Sequence, residues 1–299
     1  MDGFLNLRKP AGFTSHDCVA RVRRILGMKR VGHGGTLDPA AIGVLPVALG
    51  KATRLLQFLR QDKAYHATIR FGLRTTTDDL DGEVLENNPA LGLELASVEC
   101  LLPKFRGTIQ QIPPRYSAIQ VGGKRMYDLA RAGAVVDVPV RTVEVSHLEA
   151  VGWRSQDFPE LELTIACGAG TYIRSIARDL GELLGTGGVL ASLVRTESHG
   201  FSLADSLTIE ALEAQAQNHI FQPLKPEHVL THLPRLTLNP AEAKRWSQGQ
   251  RLIASEGNLP LVLDNPIGIY NETEVFLGIG RWLKTEDGEF LAPWMVFGE

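Results

Sequence analysis

Cysteine is scarce in this chain: three in 299 residues, Cys18, Cys100 and Cys167, far apart and in no CxxC pattern. That spacing excludes a disulfide scaffold, a zinc knuckle and a dithiol redox pair, and points to a reducing cytoplasm. Long apolar runs are missing as well. The longest uncharged apolar run, Pro39 to Gly50, falls well short of the roughly 20 residues that span a bilayer. No basic segment leads into an apolar stretch and a small-residue cleavage site near the start, so neither a secretory signal nor membrane attachment is expected. What is present is ordinary globular composition, 44% hydrophobic and 22% charged, sufficient for one large domain or two unequal ones without a metal or disulfide staple.

The formal net charge of −3 conceals an uneven distribution. Residues 1–60 carry three lysines and seven arginines against three aspartates, a surplus of +7, which leaves −10 for the other 239 residues. Within that acidic remainder, residues 104–141 hold seven basic side chains against two acidic ones, a surplus of +5. Concentrated positive surface attracts polyanions, because neutralising phosphates releases condensed counterions. The competing reading is a pair of solvated helix faces.

Periodicity predicts a helix from Ser15 to Leu26, capped by Thr14 or Ser15 and stopped by Gly27. A Gly-rich loop follows over Gly32 to Asp38, then an apolar strand from Gly43 to Leu49 and a short helix from Ala52 to Leu59. Tyr65, Ala67, Ile69 and Phe71 alternate with polar residues at strand period. The polar stretch TTTDDLDGEV reads as a turn between two strands, and Cys100 to Phe105 as the end of a short helix. Residues 111–133, with paired prolines, paired glycines and interleaved tyrosines and basic residues, read as a protruding loop plus helix. Strands are expected at Thr142 to Glu149 and Leu161 to Cys167, and an amphipathic helix from about Thr171 to Leu184. Leu190 to about Leu230 reads as mostly helical and connecting, and the residues after Pro234 as a small all-β unit.

The segment RVGHGGTLDPAAIGVLP places one carboxylate, Asp38, between a Gly-rich turn and an apolar strand. It fits neither a dinucleotide fingerprint nor a P-loop. Taken alone, Asp-Pro after glycines is a common turn initiator, which competes with a catalytic role. The whole segment, however, closely resembles the signature loop of the TruB family of pseudouridine synthases. The resemblance takes in Leu7 to Gly12 with Lys9-Pro10, then Lys63 and Tyr65, Pro113 to Gly133 and GTYIRSIARDLGELLG, and ends in a region similar to a PUA-type RNA-binding module. It covers nearly the whole chain in order.

That resemblance implies an α+β pseudouridine-synthase fold, with a central mixed, largely antiparallel sheet and a thumb insertion at about 104–141. A catalytic domain would span residues 1–230 and a small β-rich PUA-like domain residues 231–299. It implies isomerisation of uridine 55 in the T loop of tRNA to pseudouridine, with no redox cofactor, nucleotide or metal and no obligatory protein partner. Asp38 matches the essential aspartate, Arg174 the arginine that pairs with it, and Tyr65 the tyrosine that stacks on the target base. His33 matches the histidine that fills the place of the flipped nucleotide, while Tyr172 and Leu193 match further pocket positions. Lys9 is matched as a support for the pocket or a phosphate. Arg115, Tyr116, Lys124, Arg125 and Tyr127 supply the thumb's charge and aromatic surface for an RNA loop. Asp78, Asp79, Asp81 and Glu83 lack the spacing of an EF-hand and are read as a solvated turn.

Three positions depart from the family pattern: Arg8 before Lys-Pro, Val194 in place of the first of an arginine pair, and the glycine placement in SHGF. Two rival readings are a guide-RNA-dependent synthase and a non-catalytic tRNA chaperone. The thumb-like segment favours a stand-alone enzyme over the first, and Asp38, Tyr65 and Arg174 favour catalysis over the second.

Overall fold

The computed structural model describes residues 1–116, 138–253, 263–286 and 288–298, together with the backbone of 120–121 and 124–125. In chain order its strands begin with β1 (Gly3–Lys9), β2 (Val31–His33), β3 (Ile42–Leu49), β4 (Lys63–Phe71) and the hairpin β5 (Leu73–Thr75) and β6 (Val84–Asn87). Next come β7 (Gly107–Gln111), the short pair β8 (Gln120–Val121) and β9 (Lys124–Arg125), β10 (Arg141–Arg154), β11 (Glu160–Cys167), β12 (Gly188–Ser198) and β13 (Phe201–Ser202). The last five are β14 (Arg235–Leu238), β15 (Leu252–Ile253), β16 (Ile267–Asn271), β17 (Phe276–Thr285) and β18 (Gly288–Val296).

Nine strands form one sheet in the order β1-β3-β12-β4-β11-β10-β7, with β2 beside β3 and β13 beside β12. Only the β3–β12 pairing is parallel, so the sheet is mixed and largely antiparallel, as expected. Strand β3 has a reason to read as a nearly continuous apolar run. Val44 and Ala48 pack toward Phe58 and the C-terminal sheet, while Leu45, Val47 and Leu49 pack under the first helix, so both faces are buried.

That first helix spans Ser15–Leu26. The Thr14 hydroxyl accepts from the Asp17 amide at 3.0 Å and the Asp17 carboxylate accepts from the Thr14 amide at 2.9 Å, a reciprocal capping box. Gly27 ends it in the left-handed conformation, φ 62°. A second helix, Ile173–Leu183, turns Ile173, Ile176, Ala177 and Leu180 onto β4, β11 and β12. Each fully buried Ile or Leu stabilises such packing by about 2 kcal/mol.

Three expectations are corrected. Gly188–Ser198 is a central strand, not part of a helical and connecting region. Register shifts between Leu190 and Ser192 and between Arg195 and Glu197 break its alternation twice, which hides strand period in the sequence. The residues after Pro234 are not all β: the helix Pro240–Ser247 sits among β14 to β18, opened by an Asn239–Glu242 capping box with Pro240 in its first turn. Cys100 caps the helix Leu95–Glu99, and Leu102–Phe105 is a separate 3-10 turn opened near Pro103.

The second sheet runs β14-β16-β17-β18-β15. It meets the first through an apolar cluster in which Phe4, Leu55 and Phe58 join Tyr270, Phe276 and Met295. Most of the expected thumb, including the side chains of Lys124, Arg125 and Tyr127, lies outside the described residues.

Candidate active site

The loop between β2 and β3 carries Asp38, and three separate parts of the chain hold it. Asp38 itself starts a turn: its carbonyl accepts from the Ala41 amide at 3.1 Å, with Pro39 second in the turn, so the turn-initiator reading of Asp-Pro is also correct. Ser15, at the start of the first helix, accepts from the Leu37 amide at 2.9 Å. Lys9, fully buried, donates to the carbonyls of Pro10, Pro39 and Ala41 at 2.9, 3.0 and 2.6 Å. Arg195, also fully buried, donates to Val44, Thr36 and Gly35 carbonyls at 2.7, 3.3 and 3.1 Å. Lys9 therefore braces the backbone just after Asp38, with each of its three ammonium protons on a carbonyl.

Arg174 reaches this loop from the first turn of the helix Ile173–Leu183. Its Nε lies 3.1 Å from Asp38 Oδ2 and its Nη2 3.1 Å from Asp38 Oδ1, a two-point pairing of planar groups. The same guanidinium donates to the Thr77 carbonyl at 3.0 Å and the Tyr116 carbonyl at 3.1 Å, and Asp79 Oδ2 stands 3.5 Å away. The Arg174 side chain is 6% exposed and that of Asp38 is 40% exposed, so the cation is buried and the carboxylate opens outward. Burial holds the Asp38 carboxyl above the ordinary aspartate range; Arg174 opposes the shift, Asp79 adds to it and Lys9 opposes it weakly.

The acidic turn is therefore not merely solvated. Asp78 Oδ2 pairs with Arg178 at 3.1 Å and Asp79 faces Arg174, so the turn forms the back wall of the arginine site. It is the one stretch whose assigned role the structure changes most.

Asp38 and Arg174 share a cavity of about 510 Å³ with Tyr65, Tyr116, Tyr172 and Leu193. That volume lies within the range of small-ligand sites. Tyr65 lies on the buried register of β4, and burial pushes its hydroxyl up to about 12 against the opposing charge of Arg195. It is a neutral phenol at physiological pH. Lys63 also lines the cavity, with its ammonium pulled below the usual lysine range by burial and by Arg195. The Tyr172 backbone is held by the Gln111 side chain, whose Oε1 accepts from its amide at 3.1 Å.

Six of the twelve residues assigned a role thus line one cavity, and Lys9 holds its Pro39 wall from behind. His33 lies beside it in β2, edge-on to His16 with ring centroids 5.3 Å apart; burial and then the charges of His16 and Arg195 push it down to about 4, so it is neutral. Arg115 is exposed next to Tyr116, outside the lining. The side chains of Lys124, Arg125 and Tyr127 are outside the described residues. Sequence reasoning left Arg195, Lys63 and Asp79 without a role. The available signal for Arg195 was the charge that ends an uncharged run of apolar and small residues, LASLV.

A carboxylate fixed by a planar cation at the floor of an aromatic-walled cavity is suited to oppose positive charge developing on a bound sugar. Comparison with known proteins agrees with that chemistry. Residues 23–173 match the model of the TruB family pseudouridylate synthase N-terminal domain, and residues 174–242 that of the tRNA pseudouridylate synthase B C-terminal domain. Residues 234–294 match the C-terminal model of pseudouridine synthase II TruB. The tRNA pseudouridine synthase B of Trichormus variabilis is 57% identical over 298 residues, 99% of each chain. The protein of the same name from Synechocystis sp. is 52% identical over 302 residues, again 99% of each. Among solved structures, a chain of an H/ACA RNP bound to a substrate RNA containing 2'-deoxyuridine matches with a TM-score of 0.73 at 23% identity, covering 99% of this chain and 85% of that one. A chain of an archaeal box H/ACA sRNP complex matches at 0.72 and 25%, covering 99% and 86%. With models matched from residue 23 to 294 and relatives more than half identical end to end, the chain belongs to the TruB family of pseudouridylate synthases.

Proposed function

We propose that this chain isomerises uridine 55 in the T arm of tRNA to pseudouridine, as a stand-alone cytoplasmic enzyme without guide RNA or protein partner. The observation that carries the reading is the two-point Asp38–Arg174 pair facing a cavity beside Tyr65. Full-length likeness to proteins named tRNA pseudouridine synthase B supports the choice of tRNA as substrate.

In the reaction the bond from ribose C1' to uracil N1 breaks and a bond from C1' to C5 forms. N1 gains a proton and C5 loses one, so atoms and oxidation state balance without a redox partner. Asp38, oriented by its two-point pairing with Arg174, faces the ribose and opposes the charge that develops at C1'. Tyr65 packs against the uracil, and Leu193 and Tyr172 close the cavity around it. A stacked uridine must leave its loop to enter, at a cost of a few kcal/mol that contacts elsewhere offset. Neutral His33 takes the vacated place in the stack. Arg115, Tyr116, Lys124 and Arg125 grip the RNA loop, and residues 231–299 act as a separate PUA-like RNA-binding domain behind a catalytic domain of residues 1–230.

The test is to incubate the purified chain with unmodified tRNA transcript and map pseudouridine by carbodiimide-primer extension or mass spectrometry. Modification at position 55 is the expected result. Product only after guide RNA and partner proteins are supplied selects the guided reading, and refolded tRNA without product selects the chaperone.

A further inference from the structure

Arg195 is the largest charged side chain in the core, fully buried in the centre of the nine-stranded sheet. Among the described residues no carboxylate pairs with it; three backbone carbonyls receive its protons instead. A buried guanidinium without a counterion is costly, and an apolar residue of similar volume serves stability better. Its location explains what it does. Gly35 and Thr36 lead into Asp38 and Val44 follows the Asp38 turn, so one planar fork grips the loop on both sides of the carboxylate.

The backbone places Arg195 at a three-way junction. It pairs with Gly43 of β3 in the sheet's parallel step and directly opposite Tyr65 of β4. Any Cβ at Gly43 would fall 2.2 Å from the Arg195 carbonyl oxygen, so only glycine allows β3 this close. The guanidinium also stands against the Tyr65 hydroxyl. One side chain therefore touches the anchor points of both Asp38 and the aromatic wall, while lying outside the cavity lining itself.

We propose that Arg195 is a positioning residue for the isomerisation, fixing the Asp38 loop and Tyr65 in one mutual geometry without touching the RNA. The proposal rests on the synthase reading above. Lysine keeps the charge but has no planar fork, so it cannot serve carbonyls on both sides of Asp38 at once.

The experiment measures tRNA Kd, the single-turnover rate constant at saturating enzyme and the thermal midpoint for full-length wild type, Arg195→Lys, Arg195→Gln, Tyr65→Phe and the double variants. Expected is a single-turnover rate lowered about 10- to 100-fold in Arg195→Lys and further in Arg195→Gln, with tRNA Kd within about twofold of wild type. In the Tyr65→Phe background the same substitutions lower the rate several-fold less, because the coupled partner is already lost. Should Arg195→Gln unfold, Arg195→Lys and its double variant carry the test. Wild-type rates in a folded Arg195→Lys, or rate losses that only follow the fraction unfolded, or full additivity with Tyr65→Phe, overturn the proposal. Absence of product from the wild-type chain overturns instead the reading on which it rests.

Discussion

Two carboxylate–arginine clusters lie toward opposite ends of β4, and they resolve the same conflict in opposite ways. At one end Glu160, its side chain 10% exposed, receives Arg70 on one oxygen and Arg154 on the other, both at 2.7 Å. Burial raises its pKa, but hydrogen bonds and charge from Arg154 and Arg70 outweigh that, and the carboxyl ends below the ordinary glutamate range. At the Tyr65 end Asp38 has Arg174 as its direct cation, with Lys9 behind and Asp79 adding like charge, and burial prevails. An ion pair therefore does not by itself set the state of a carboxyl. The balance of desolvation, opposite charge and like charge does. The Glu160 arrangement ties two neighbouring strands together through Arg70, whereas the Asp38 arrangement leaves an open carboxylate facing a cavity, which suits the role proposed for it.

The largest effect expected from breaking this contrast is catalytic. Asp38→Asn should abolish pseudouridine formation, a loss of about 1,000-fold or more in single-turnover rate, while tRNA Kd stays near wild type. A wild-type rate in that variant would remove Asp38 from the mechanism. Arg174→Lys should come next, with a loss of about 10- to 100-fold, because a point charge cannot hold both Asp38 oxygens and the Thr77 and Tyr116 carbonyls together. Rapid-quench measurement of product decides this.

Asp79→Asn sharpens the comparison through pH. Removing the like charge lowers the Asp38 pKa, so the acidic limb of the single-turnover profile should move to lower pH, with a rate change at neutrality of only about threefold. An unmoved limb would mean that Asp79 acts on Arg174 alone. The smallest effect should come from Glu160→Gln: activity unchanged and stability at pH 7 lower by about 1 kcal/mol, read by denaturant unfolding.

The two carboxyls should also leave opposite marks on stability. The lowered pKa of Glu160 gives a contribution present above its unfolded pKa and lost as pH falls through the folded value. The raised pKa of Asp38 gives one present below its unfolded pKa and lost as pH rises through the folded value. Relative to Asp38→Asn, wild-type stability should therefore decline as pH climbs above about 4; relative to Glu160→Gln it should be level there and fall as pH drops below about 4.

Much of the fold was legible because local rules and tertiary packing agreed. Thr14, Asp17 and Gly27 bound the first helix as capping chemistry demands, and the Tyr65-to-Phe71 alternation is a strand with one face in the core. Strand β12 was not legible: its two bulges scramble the alternation that would have announced it. The helix Pro240–Ser247 was signalled by Asn239, Pro240 and Glu242, a capping pattern lost among short apolar runs. At the site, Asp38, Tyr65 and Arg174 stood out through an ordered series of motifs rather than through local chemistry. Asp79 and Arg195 did not, since a polar turn and a lone strand arginine acquire a role only when their neighbours are known.

By itself the sequence determined the elements and the chemical inventory: where helices start, which strand faces are apolar, which side chains are charged. Those properties depend on residues a few positions apart, within reach of backbone sterics and side-chain periodicity. Only the tertiary structure decided that residues 136 positions apart, Asp38 and Arg174, form one ion pair, and that Lys9 and Arg195 hold backbone carbonyls of the loop between them. The physical reason is that protonation, burial and hydrogen-bond satisfaction are set by whatever surrounds a group in space, and that environment exists only after the chain has closed.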